Sequence, residues 1–149
     1  MAEASRSQPI GIFDSGLGGL TVAKEIFRLL PNEDVIYFGD TGRYPYGPRS
    51  KDIVVEFSRQ NTRFLIEQGV KMIVVACNTA SALALSVIKQ DCDVDMLGVT
   101  KPGALSAVKA TRNGKIGVIG TTGTISSDIY AKEIGELDSK IKVFSLACP

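Results

Sequence analysis

Histidine is absent from the 149 residues, and with it go the commonest general base and the commonest metal ligand. No Ser-His or Cys-His pair can form within the chain, so acid–base chemistry has to run on Cys, Asp, Glu, Lys or Tyr. Neither sign of charge dominates: 17 basic residues stand against 16 acidic ones, a formal net charge of +1. That balance leaves no electrostatic footprint for direct nucleic-acid binding or for an anionic membrane. Long apolar runs are lacking too, none approaching the roughly 18 residues of a bilayer span. The polar start MAEASRSQPI has no apolar core of the secretory type. Cysteine is scarce, with Cys77, Cys92 and Cys148 the three. An odd number at wide spacing makes neither a disulfide frame nor a zinc site, and no metal is expected. A reducing cytoplasm is the expected compartment.

Hydrophobic residues make up 44% and charged residues 22%, the composition of a globular domain able to bury a core. Ile10 to Phe13 reads as a short buried strand that runs into a Gly-rich turn. A helical pattern follows from about Leu20 to Leu30, stopped by Pro31 and Asn32. DVIYFGD (34–40) reads as a second strand, followed by the loop TGRYPYGPRS. Ile53, Phe57, Phe64 and Leu65 recur at helical spacing, with Gly69 as a stop. VKMIVVAC (70–77) is the most apolar strand and is expected at the centre of a parallel sheet. The spacing then predicts a helix over 79–90, a strand in DMLGVT and a helix opening at Pro102-Gly103. A strand in KIGVIGT, a helix over 126–137 and a last strand in IKVFSLACP complete the chain. This alternation predicts an α/β fold, an open, mostly parallel sheet flanked by helices.

Three polar loops each follow a strand: Asp14-Ser15, Tyr46-Gly47 and Cys77-Asn78-Thr79. The carboxyl ends of parallel strands share one edge, where ligands bind, so these loops are expected to line one concave site. Cys77 stands at a strand-to-helix junction, where free backbone N–H groups and the helix dipole favour a thiolate. The position predicts faster alkylation at Cys77 than at Cys92. A small buried core cysteine is the open alternative. Asn78 and Thr79 can cap that helix and offer donors to a ligand carboxylate.

FDSGLGG fits neither common nucleotide loop. Asp14 or Ser15 caps a tight Gly turn, or the Asp14 carboxylate orients an ammonium group or influences a nearby thiol. RYPYGPRS reads equally as a connection or as a pocket wall, and GTTGTISSD (120–128) as an anion cradle or a plain cap. Cys148, in SLAC before Pro149, imitates Cys77. Pro149 has no N–H where the neighbour of Cys77 has one, so a Cys77–Cys148 pair is not expected. Cys92, between Asp91 and Asp93 in a connecting loop, reads as incidental. IGIFDSG at 10–16 is echoed by IGVIGTTG from Ile116. A duplicated unit at that offset would place a partner for Cys77 at about position 183.

IGIFDSGLGGLTV, YFGDTGRYPYGPRS, VVACNTASALAL and IGVIGTTGTISSDIY, in this order and spacing, closely resemble the bacterial glutamate racemase family. The likeness runs from Pro9 to Pro149, and the blocks together are specific where any one alone is not. The resemblance implies a cofactor-independent racemase that interconverts L- and D-glutamate for peptidoglycan. It implies two similar α/β domains facing each other, each giving one cysteine: residues 1–99 as the first and 100–149 as the beginning of the second. By resemblance Cys77 is the first catalytic cysteine. Asp14, Ser15, Tyr46, Gly47, Asn78 and Thr79 bind substrate, and Thr121 and Thr124 lie near its carboxylate. Glutamate is the implied small-molecule partner, with no membrane partner; assembly varies within the family, a homodimer being one form of it.

Two departures stand out. The family's second catalytic cysteine lies in a Gly-Cys-Thr-His segment, which these residues do not contain. Lys101 precedes Pro102-Gly103 where the family usually carries an acidic residue. The expectation is therefore an N-terminal portion that does not racemise glutamate alone. The alternatives are an aspartate or hydantoin racemase relative and a non-catalytic module that holds an amino acid or a protein.

Overall fold

The apolar run Ile10–Asp14 becomes β1, buried at every position, and its neighbours in the sheet are the apolar runs at 35–39 and 72–75. The computed structural model describes residues 7–148. The chain order is β1, α1 (Leu20–Leu29), β2 (Val35–Gly39), α2 (Lys51–Glu67), β3 (Met72–Val75), α3 (Asn78–Leu83), α4 (Leu85–Ile88), β4 (Asp95–Gly98), α5 (Thr100–Ala110), β5 (Lys115–Gly120), α6 (Thr122–Ser126), α7 (Ile129–Leu137) and β6 (Lys142–Ala147). The first four strands form one parallel sheet in the order β2-β1-β3-β4. β5 and β6 pair in parallel as a second, two-stranded sheet.

Helices cover the four-stranded sheet on both faces, as an all-parallel sheet requires. Phe13, Val54, Leu65, Ile73, Val75, Ala80 and Ile88 pack between the sheet and α2, α3 and α4. Ile10, Ile12, Ala23, Val74 and Ala76 pack against α1. Alternate residues of β3 thus feed opposite cores, each buried apolar side chain contributing about 1.5–3 kcal/mol. The chain leaves β1 for β2 on one side and later returns to β3 on the other. The crevice between the carboxyl ends of β1 and β3 is the switch point of this order, where open α/β sheets take their ligands.

Several boundaries differ from the sequence reading, each for a local reason. β3 is only 72–75, although Ala76 still donates to the Phe13 carbonyl at 2.8 Å. The helix expected over 79–90 is two short ones, separated at Ala84, whose φ of −115° departs from helical values. Asn78 and Thr79 do not cap α3; Cys77 does, its Sγ accepting from the Ala80 amide. α5 opens at Thr100 rather than at Pro102, because Pro102 sits in the first turn, where a missing N–H is harmless. The helix expected over 126–137 is also two. Thr121 caps α6 five residues early, and Asp128 in the left-handed region (φ 58°) separates α6 from α7. Pro149, the last residue of the expected sixth strand, lies outside the described residues.

Candidate active site

The site is built from the ends of β1 and β3. Asp14 closes β1, and its Oδ2 accepts the Gly19 amide at 2.9 Å, so the carboxylate satisfies a free N–H at the start of α1. Ser15 follows it, and the Cys77 thiol donates to the Ser15 hydroxyl at 3.5 Å. The Ala80 amide donates to the Cys77 sulfur at 3.5 Å. Asp14, Ser15 and Cys77 are all buried, Cys77 with 6% of its surface exposed.

Burial decides the state of this thiol. It pushes the Cys77 pKa up, the Ser15 and Ala80 hydrogen bonds offset only part of the rise, and the Asp14 carboxylate adds to it. The thiolate expected from the strand-to-helix position is therefore not the resting form. α3 has six residues and carries little macrodipole, too little to offset desolvation and a neighbouring carboxylate. Tyr37 reports the same environment. Its hydroxyl donates to the Gly16 carbonyl at 3.1 Å, and burial, Asp14 and Cys77 push its pKa up to about 12.

A protonated, buried Cys77 reverses the expected order of reactivity. At neutral pH iodoacetamide should modify half-exposed Cys92 and exposed Cys148 before Cys77, and the Cys77 rate should climb only above the ordinary thiol range of about 8.5. A group that holds its proton more tightly when folded supports the fold below its ordinary pKa. That support is lost as pH rises through the folded value. Site-resolved labelling across pH checks the reactivity, and melting curves over the same range check the stability; Cys77 reacting fastest at pH 7, or stability that does not fall at alkaline pH, would contradict them.

A second cluster adjoins the thiol. Thr79 Oγ1 lies 2.9 Å from Thr121 Oγ1 and 3.3 Å from Thr124 Oγ1, and the last two are 3.1 Å apart. This triangle of hydroxyls joins the carboxyl end of β3 to that of β5, and so the first sheet to the second. The Gly47 carbonyl accepts the Gly123 amide at 3.0 Å beside it. Gly47 has to be glycine at this contact: an added Cβ would lie 2.6 Å from Thr121 Cβ. Asn78 is exposed, and its Oδ1 accepts from Tyr130 of α7 at 2.6 Å. A cleft of about 460 Å³ is lined by Asn78, Thr121, Thr124 and Tyr130 together with the Gly120 end of β5. Neither Asp14 nor Cys77 lines it.

Among the candidate residues, then, Asp14, Ser15 and Cys77 form one cluster and Thr79, Thr121 and Thr124 another. Gly47 joins the second through Gly123, and Asn78 stands at its rim. Tyr46 differs. Its side chain is 1% exposed and turned into the core, where its hydroxyl donates to Asp40 and accepts from Asn61. What Tyr46 can offer a ligand is backbone.

Tyr37, Tyr130, Asp40, Arg43 and Asn61 were not legible as site neighbours. Tyr37 sits in a strand, and Tyr130 in a helix 52 residues from its partner Asn78. The only sequence signal for Asp40 and Arg43 is their place in the loop that carries Tyr46.

Comparison with known proteins agrees with the fold. Residues 28–147 match the family model described as Asp/Glu/Hydantoin racemase. The glutamate racemase of Lactococcus lactis subsp. cremoris (strain MG1363) is 52% identical over 143 residues, 96% of this chain and 53% of the relative. A crystal structure of a glutamate racemase isoform from Bacillus anthracis superposes with a TM-score of 0.93 at 50% identity, covering 97% of this chain and 54% of that one. The glutamate racemase of Francisella tularensis subsp. tularensis, solved in complex with D-glutamate, gives a TM-score of 0.86 at 41% identity, covering 94% and 52%. The chain thus spans about half the length of these relatives. With that match running from α1 to the end of β6, the chain belongs to the Asp/Glu/hydantoin racemase family.

Proposed function

We propose that this chain supplies the first half of the active site of a cofactor-independent glutamate racemase, with Cys77 as one of two proton-transferring thiols. The observation that carries the reading is Cys77 held at the β1–β3 switch point between Ser15 and Asp14, next to the Thr79–Thr121–Thr124 triangle. These are complementary parts for an amino acid. The hydroxyls and nearby backbone amides suit an α-carboxylate, and Asp14 suits an ammonium group. The binding of D-glutamate to the Francisella protein supports glutamate as the substrate.

The electrostatics couple binding to activation. Asp14 opposes ionisation of Cys77 in the empty site. A substrate ammonium group beside both would neutralise that repulsion, and the Ser15 hydroxyl and the Ala80 amide then donate to the sulfur as it ionises. The thiolate takes the α-proton from one face of the substrate. A second base on the opposite face returns a proton to give the other enantiomer. Donors fixed around the carboxylate stabilise the intermediate charge without an electron sink. We assign the second base to a residue outside 1–149. Supply of D-glutamate for peptidoglycan, in the cytoplasm, completes the reading.

The resting state of Cys77, buried and protonated, favours a second reading, a module that binds glutamate without chemistry. Chiral chromatography of L-glutamate incubations separates the two. The protein at the full length of its relatives should produce D-glutamate without added cofactor, and residues 1–149 alone should not. Failure of the full-length protein would leave the binding module. Turnover by residues 1–149 that survives Cys148→Ser would remove the requirement for a second thiol.

A further inference from the structure

Beneath the Tyr46–Gly47 loop lies a closed ring of polar side chains that the chemistry above leaves unused. The Tyr46 hydroxyl donates to Asp40 Oδ2 and accepts from Asn61 Nδ2 at 3.0 Å. Arg43 holds the same carboxylate in two-pronged fashion, Nε to Oδ1 at 2.9 Å and Nη2 to Oδ2 at 2.7 Å. The ring closes where Arg43 Nη2 donates to Asn61 Oδ1 at 2.9 Å. The guanidinium also sits 4.3 Å over the Phe57 ring, which packs against Tyr46 at 5.5 Å. Asp40, Tyr46 and Asn61 are buried. Asp40, Arg43 and Tyr46 belong to the loop after β2, whereas Asn61 and Phe57 belong to α2. The ring therefore pins an exposed loop to a helix of the first core.

The far side of the same loop touches the second sheet's site residues. Gly47 follows Tyr46 directly, accepts the Gly123 amide and abuts Thr121. We infer that Asp40, Arg43 and Asn61 are positioning residues: acting through the Tyr46 hydroxyl, they fix the Gly47 peptide against Thr121 and Gly123 and so set the spacing between the two halves of the site. The spacing matters because the hydroxyl triangle spans the same gap, and a shift of a few tenths of an ångström would weaken its 2.9–3.3 Å contacts. The ring is fully satisfied, and a fully satisfied buried polar network rigidifies its surroundings. Burial and the Asp40 hydrogen bond hold the Tyr46 phenol well above its ordinary pKa, so it stays a donor at any working pH. Only the link to substrate rests on the racemase reading; the link to Gly123 rests on the geometry.

Amide hydrogen exchange on the 149-residue chain tests it. Two N–H groups are compared: Gly123, bonded to the loop, and Ala76, bonded to Phe13 within the first sheet. Tyr46→Phe keeps the ring in the core but removes the hydroxyl. Exchange at Gly123 should accelerate about tenfold relative to Ala76, the scale of one lost buried hydrogen bond. Arg43→Lys keeps the charge, loses the two-pronged hold and should act in the same direction without rescue. It also serves if Tyr46→Phe does not fold. Equal acceleration at both amides means that the ring only stabilises the fold, and no change at Gly123 means that it does not position the loop; either overturns the inference. Titration with glutamate, read by the Gly47 and Thr121 amide signals, separates the two proposals. In Tyr46→Phe the half-saturating concentration should rise about tenfold. A wild-type chain whose signals ignore glutamate removes the substrate assignment and leaves the Gly123 comparison to decide the ring.

Discussion

Replacing Cys77 by alanine in the protein at the full length of its relatives is expected to lower racemisation of glutamate by roughly two to four orders of magnitude, the contribution of a positioned proton-transferring group. The substitution is small. Cys77 belongs to the same apolar core as Ala80 and Ala84, where a methyl group fits. The loss is the sulfur that accepts from the Ala80 amide and meets Ser15. A weak cap on a six-residue helix is worth less than the roughly 0.5–2 kcal/mol of an oxygen cap. The fold and the affinity for glutamate should therefore survive, and the effect should fall on kcat with little change in KM. Rates in both directions, followed by chiral chromatography alongside a melting curve, check this. A loss of less than tenfold in a folded variant would mean that another group takes the proton.

Gly47→Ala is expected to be the most damaging change that touches no reacting atom. An added Cβ would lie 2.6 Å from Thr121 Cβ and 2.7 Å from Thr121 Cγ2, both well inside van der Waals contact. Thr121 cannot turn away freely. Its hydroxyl caps α6 and contacts those of Thr79 and Thr124. Either the loop or α6 has to move, and each move breaks the Gly47–Gly123 hydrogen bond. Overpacking of this kind costs about 1–3 kcal/mol. Because the strain falls on the site rather than on the first core, it should appear as a tenfold or greater rise in KM with a modest drop in melting temperature. An unchanged KM would show that Gly47 lies outside the substrate's reach.

The parts of the site that could be read from the chain lie at strand ends. Asp14, Ser15 and Cys77 each follow an apolar run whose length and termination mark a strand. In a parallel sheet, that is enough to put all three on one edge. Cys77 as a helix-start residue was legible for the same reason, but its ionisation was not. Burial by the packing of α3 and the approach of Asp14 decide that, and both are properties of the folded chain. The helix interruptions at Ala84 and Asp128 carry no glycine or proline to announce them.

RYPYGPRS was open between a connection and a pocket wall, and it proves to face both ways. Tyr46 turns inward because Asp40 and Asn61 wait there, Asn61 15 residues further along the chain. Gly47 turns toward the site. No local pattern encodes such a division; it depends on partners drawn from a separate helix.

The origin of the α-hydrogen in the product tests the two-thiol account most directly. The full-length protein, turning over each enantiomer of glutamate in deuterium oxide, should give product that carries deuterium at Cα while the recovered substrate keeps its proton through early turnover. That pattern follows from Cys77 on one face and a separate base on the other, each exchanging with solvent. Equal deuterium in recovered substrate and product, from either enantiomer, would mean one base serving both faces, and the account would be wrong.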